Sequence, residues 1–150
     1  MEVKIEKISK EKEQEVLIRC HEVNGEVVEI ARFVKSTQEG VEVYNEQGMR
    51  RLALLDIYYV EAVDNRVFVY SKKEVYEIKM RLYEFEQMYG ENQFFRCSKA
   101  IIVNLLKIQS LKPALNGRFL AVLQNGENVI IARKYVPDFK LKLHGGMQNE

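Results

Sequence analysis

Residues 94–105 read FFRCSKAIIVNL: two aromatics, a basic edge of Arg96 and Lys99, then an apolar run closed by Asn104. The run is too short for an independent helix and too apolar for a surface loop, so its side chains require a core assembled from elsewhere in the chain. Arg96, Ser98 and Lys99 are then left at the rim. Long donors held on a buried anchor suit an anionic polymer better than bond-breaking chemistry, because Arg and Lys supply charge and donors but no general base.

Toward the C-terminus, residues 108–111 read as a strand, and two Asn-Gly pairs, Asn116-Gly117 and Asn125-Gly126, bracket the apolar FLAVLQ. Asn-Gly between apolar strands marks a hairpin, since its tight turns need positive φ, so residues 114–132 are expected to form a three-stranded meander. A basic helix over residues 135–143 closes the fold, and residues 146–150 are expected to fray. Upstream, short strands at 41–44, 49–54, 57–62, 67–70 and 75–78 are separated by turns at 45–48, at Asp64 and Asn65, and at SKKE. Residues 79–89 interrupt them with a helix that carries Leu82, Phe85 and Tyr89 on one face. This spacing favours an all-β sandwich or barrel over a parallel sheet with crossover helices, and with its short helices the fold is mainly β, α+β overall.

The first forty residues differ in texture. Residues 1–8 alternate apolar and charged side chains with a slip before Ile8, residues 15–21 repeat the pattern less cleanly, and both read as strands around the polar SKEKEQE. Asn24 caps a helix whose Val27, Ile30, Ala31 and Val34 recur at helical spacing. The expectation is a β-β-α extension, residues 1–40, serving as a packing, dimerisation or regulatory element. The first aspartate in the chain is Asp56, so nothing before it is an aspartyl phosphoacceptor.

At 150 residues and 47% hydrophobic, the chain has material for one well-cored domain. No apolar run approaches the roughly 18 to 20 residues that cross a bilayer, and the N-terminus is charged where a signal peptide is apolar. A cytoplasmic protein is expected, with Cys20 and Cys97 as two buried thiols and not a bridge. The formal net charge of +1 conceals an asymmetry: residues 1–50 hold 8 cations against 11 anions, whereas residues 92–144 hold nine cations against two anions. Such a local excess steers a surface toward phosphate backbones.

Enzyme signatures are missing. The chain has no glycine-rich phosphate loop, no G-x-S-x-G elbow, and no C-x-x-C or H-E-x-x-H spacing. A metal site of Cys20, His21 and Cys97 lacks a fourth ligand, and the nearest carboxylate pair, Glu61 and Asp64, falls at a strand end and a turn. Neither catalysis nor a cofactor is expected. The candidate recognition residues are loop groups on a β scaffold: Asn65 and Arg66 at a hairpin tip, Arg96, Ser98 and Lys99 at the anchor, Arg133 and Lys134 before the last helix. If the fold brings them to one side, Arg can read guanine O6 and N7 while Lys and Ser position phosphates. A rival reading is a protein-interaction antagonist or adaptor that uses an exposed strand edge or the N-terminal helix.

Taken in order, DIYYVEAVDNRVFVY, LYEFEQ, FFRCSKAIIVNL, KIQSLKP, QNGE and ARKYVPDFKLKL resemble the LytTR DNA-binding domain of bacterial transcription regulators, over residues 41–143. The resemblance implies a domain at 41–145 built of stacked small antiparallel sheets. Its loops, not a recognition helix, would enter successive major grooves of double-stranded DNA, and homodimers would bind repeated sites and bend them. It places residues 64–67, 96–100 and Arg133 at the DNA and makes Asn104 structural. Where many members carry His and Ser in the anchor, this chain has Ser98 and Ala100, a change in donor chemistry. The segment 1–40 in place of a receiver domain resembles free-standing members, often controlled by a small membrane-protein antagonist. Control through protein binding or abundance, not phosphorylation, is the expectation that follows.

Overall fold

The structure is a computed structural model that describes residues 1–90 and 93–148. Ten strands form two antiparallel sheets. The first seven are β1 (Gly40–Asn45), β2 (Gly48–Ala53), β3 (Tyr59–Val63), β4 (Arg66–Tyr70), β5 (Val75–Ile78), β6 (Phe94–Arg96) and β7 (Ile101–Asn104). They lie side by side in the order β2-β1-β5-β4-β3-β7-β6, joined between β1 and β5 at Tyr44 opposite Glu77. The other three, β8 (Ile108–Pro113), β9 (Phe119–Leu123) and β10 (Asn128–Ile131), form the meander, ordered β10-β9-β8. Three helices complete the described residues: α1 (Gly25–Gln38), α2 (Leu82–Tyr89) and α3 (Val136–Gln148). The strand spacing predicts a mainly β fold, and the two antiparallel sheets are what the family resemblance implies.

Turn chemistry explains the registers. Val63 faces Arg66, so β3 and β4 are joined by Asp64 and Asn65 alone, with φ of 50° and 65°. Two consecutive positive φ values define the tight turn whose twist matches that of the strands, and Asp and Asn tolerate it. Between β9 and β10 the Asn125 Oδ1 accepts the Glu127 N–H at 3.1 Å, and Gly126 takes the positive φ.

The stretch at residues 94–105 turns out to be a wall between two cores. On one face, Phe94 and Ile102 join Val43, Leu54, Val60, Val69 and Phe85; on the other, Cys97 and Val103 join Leu123, Ile131 and Phe139. Phe94 meets Phe85 edge-on at 5.1 Å while its neighbour Phe95 meets Phe139 at 5.3 Å. Successive strand residues point to opposite faces, so one short hairpin serves both cores. Asn104 is fully buried at the end of β7. Its Nδ2 donates to the Ile57 carbonyl at 2.7 Å and its Oδ1 accepts the Leu106 N–H at 3.0 Å, so both ends of the amide are satisfied.

Helix α1 forms as its sequence predicts, with Asn24 Oδ1 accepting the Val27 N–H at 3.1 Å. It packs on α3 and on the turn Leu54–Asp56. The two strands expected before it do not form: residues 1–23 belong to no ladder. Alternation shows only that a segment is able to be half-buried, and here Val3 and Ile5, 85% and 96% exposed, have no sheet beneath them. Cys20 is exposed for the same reason, contrary to the expected pair of buried thiols, while Cys97 is fully buried and both are free. Helix α2 begins at Leu82, later than expected, where the Arg81 N–H donates to the Glu84 carboxylate at 3.0 Å. Helix α3 runs past residue 143 to Gln148; the end of the tail expected to fray, residues 149–150, lies outside the described residues. Among the described residues no helix is long and apolar enough to cross a membrane.

Candidate nucleic-acid interface

Two main-chain hydrogen bonds bring the candidate loops together. The Ala62 N–H donates to the Ala100 carbonyl at 2.8 Å, tying the β6–β7 loop to β3 just before the Asp64–Asn65 turn. The Ala132 N–H donates to the Cys97 carbonyl at 2.8 Å, tying the other end of that loop to the residue before Arg133. Hairpin tip, anchor loop and the turn Arg133–Tyr135 therefore stand in one row, although residues 62, 97 and 132 are far apart in sequence. With strands rising about 3.3 Å per residue, the tip is on the order of 10 Å from the loop.

The side chains in the row differ in what they are free to do. Asn65, Lys99, Arg133 and Lys134 are exposed, and Ser98 is half-buried. Arg96 is spent on the protein itself: Nε donates to the Ser98 carbonyl at 2.8 Å, Nη2 to the Lys99 carbonyl, and Nη1 to the Glu86 carboxylate at 3.1 Å. Its guanidinium thus shapes the loop that presents Ser98 and Lys99. Ser98 Oγ accepts the Ala100 N–H at 3.3 Å, which keeps its hydroxyl available as a donor. Arg66 donates to Glu77 and lies over the Phe68 ring at 5.1 Å. That bond holds the Glu77 carboxyl below its ordinary range, so the hairpin tip offers a compensated charge. Lys134 rests over Tyr135 at 5.2 Å.

Part of the basic excess counted over residues 92–144 also makes contacts within the protein. Lys142 donates to the Gly90 and Phe94 carbonyls, Lys107 lies over Tyr58 and Lys140 over Phe119. One contributor to the row escaped sequence reading. At the β8–β9 turn a side chain on Gly117, whose φ is 75°, would meet Arg133 Cγ at 3.2 Å, so this turn packs against the stem of Arg133 and brings exposed Arg118 beside it. The Asn-Gly pair marked the turn but not its neighbour.

The row offers hydrogen-bond donors and positive charge. Cys97, the one thiol inside it, has its pKa pushed up to about 12 by burial, so at neutral pH it is not a nucleophile. Among the described residues no cluster of His, Cys, Asp or Glu is arranged to hold a metal. The groove beside the hairpin tip, about 740 Å³, mixes Arg66, Arg81 and Arg96 with Asp64, Glu77 and Glu84, which gives no single-sign pocket for a small anion.

Comparison with known proteins adds the following. A family described as the LytTr DNA-binding domain matches residues 47–144. The chain is 34% identical over 90 residues to the transcriptional regulatory protein YpdB of Escherichia coli, covering 59% of this chain and 37% of that protein. It is 30% identical over 105 residues to the sensory transduction protein LytT of Enterococcus faecalis, covering 70% and 43% respectively. The chain thus spans well under half the length of these relatives. Against an uncharacterized HTH-type transcriptional regulator of Staphylococcus aureus the identity is 24% over 137 residues, covering 90% of this chain and 92% of the other. A LytTr DNA-binding domain from Bacillus cereus superposes with a TM-score of 0.66 at 28% identity, covering 69% of this chain and 95% of that one.

Proposed function

The chain belongs to the LytTR DNA-binding domain family, and from that premise we propose that it is a transcriptional regulator that binds double-stranded DNA sequence-specifically through the row of loops. The observation that carries the reading is the pair of main-chain bonds, Ala62 to Ala100 and Ala132 to Cys97, that lines up the three loops. Arg133 is the base reader: exposed, braced on its stem by the Gly117 turn, and with a planar fork that matches guanine O6 and N7 in the major groove. Lys99, Lys134 and the Ser98 hydroxyl bind phosphates and set the register. Arg96 contributes indirectly, as the frame of the 97–100 loop. Asn65 reaches the neighbouring groove segment, with Arg66 partly neutralised by Glu77 beside it.

Homodimers bind repeated sites through residues 41–145 and residues 1–40 serve regulation. A small membrane-protein antagonist supplies the control, and the protein acts in the cytoplasm. The test is fluorescence anisotropy of the chain against its own upstream DNA and a scrambled duplex of equal length, each over a salt series. Tighter binding to the native duplex that survives added salt is the expected result. Equal, steeply salt-dependent binding to both would reduce the row to a non-specific basic surface.

A further inference from the structure

Residues 1–23 hold apolar side chains that nothing among the described residues covers. Val3 is 85% exposed, Ile5 96%, Val16 62% and Leu17 65%. Over residues 1–6 the pattern is strictly alternating, with Met1, Val3 and Ile5 on one face and Glu2, Lys4 and Glu6 on the other. Lys4 Nζ and Glu2 Oε2 lie 4.0 Å apart on that polar face.

We propose that this arm pairs antiparallel with the arm of a second copy of the chain, forming the dimer interface on which binding at repeated DNA sites rests. The argument is charge complementarity. A two-fold axis through Val3 sets Glu2 opposite Lys4 of the partner subunit, and an axis through Ile5 sets Lys4 opposite Glu6 of the partner subunit. Both registers gather the apolar residues on one face. An axis through Lys4 would oppose lysine to lysine and glutamate to glutamate, which is destabilising. Residues 1–23 hold five cations and six glutamates, so two arms do not repel as wholes.

Strand number points the same way. The Lys12 N–H donates to the Ser9 carbonyl at 3.2 Å, turning the chain between its two alternating segments. One copy supplies two segments, too few for a stable sheet, whereas two copies supply four, above the minimum of about three. Helix α1 follows the arm directly and rests on α3, so pairing of arms fixes the separation of two DNA-binding rows.

The experiment is sedimentation velocity on the full chain without DNA, with two charge variants. Lys4→Glu makes the polar face entirely acidic, and Glu2→Lys with Glu6→Lys makes it entirely basic. Each variant alone is expected to dimerise at least about tenfold more weakly than the parent, while an equimolar mixture recovers the parent affinity. At a concentration low enough for the parent to be monomeric, both should melt at the parent temperature, because these side chains are exposed in the single chain. A parent chain that stays monomeric up to about 100 µM, well above a micromolar dissociation constant, overturns the proposal. So do variants that dimerise unchanged, or a mixture that stays monomeric. Anisotropy on a single site keeps the two ideas apart: an intact dimer without DNA affinity supports the arm and sinks the DNA reading.

Discussion

Arg96 and Arg133 sit at the two ends of one hydrogen-bonded loop system, yet they have opposite fates. The guanidinium of Arg96 is consumed by the Ser98 and Lys99 carbonyls and by Glu86, with the side chain one-fifth exposed. That of Arg133 stands in solvent, supported along its stem by the glycine turn at residue 117. The contrast teaches that a cation in a recognition loop has two separable uses. One arginine builds the loop and the other is carried by it.

The comparison is open to breaking, and the largest effect should come from Arg96. Arg96→Ala removes three hydrogen bonds from a charged group and should cost about 2 kcal/mol of stability by urea unfolding, with DNA affinity falling on native and scrambled duplexes alike. Unchanged stability with lost affinity would make Arg96 a direct contact and erase the distinction. Arg133→Ala should leave the unfolding midpoint in place and cost about 1 to 3 kcal/mol on the native site only. Equal losses on both duplexes would demote it to a phosphate contact. Lys99→Ala should do less, lowering the slope of log affinity against log salt by about one unit; a slope that stays put would remove Lys99 from the interface.

The subtlest probe uses Cys97, which lies between the two arginines. Burial raises its pKa to about 12, so the folded chain keeps a proton that the unfolded chain releases near the ordinary thiol value of 9.0. Stability from this group is whole below about pH 9 and is lost as pH rises toward 12, because the unfolded state then binds fewer protons. Burial and a hydrogen bond to Glu61 push Tyr70 up in the same direction. Cys97→Ala should therefore flatten the decline of the urea midpoint above pH 9 without abolishing it. A decline identical in the parent and variant would show that the thiol is accessible and the loop loosely closed.

Sequence carried the parts of this molecule that are decided within a few residues. The Asp64-Asn65 and Asn-Gly turns, the Asn24 cap, the α2 stripe and the order of strands between residues 41 and 131 all rest on local signals. The row of loops was not legible, since it depends on residues 62 and 100, and 97 and 132, meeting through main-chain groups that every sequence possesses. Nor was the fate of Arg96, which is set by carbonyls two and three residues ahead and by a glutamate on α2. Residues 1–8 erred the other way. They alternate through residue 6, but a strand is made by its neighbour, and the described residues supply none.

The bonds that align the row join backbone to backbone and ask nothing of the side chains at positions 98, 99 or 133. Those positions are therefore interchangeable parts on a fixed chassis. If the row is the DNA-binding surface proposed above, exchanging Arg133 changes the base that is read while the phosphate contacts and the spacing between loops are inherited intact. Ser98 and Ala100 sit in the same frame, so donor chemistry there can change without remaking the scaffold.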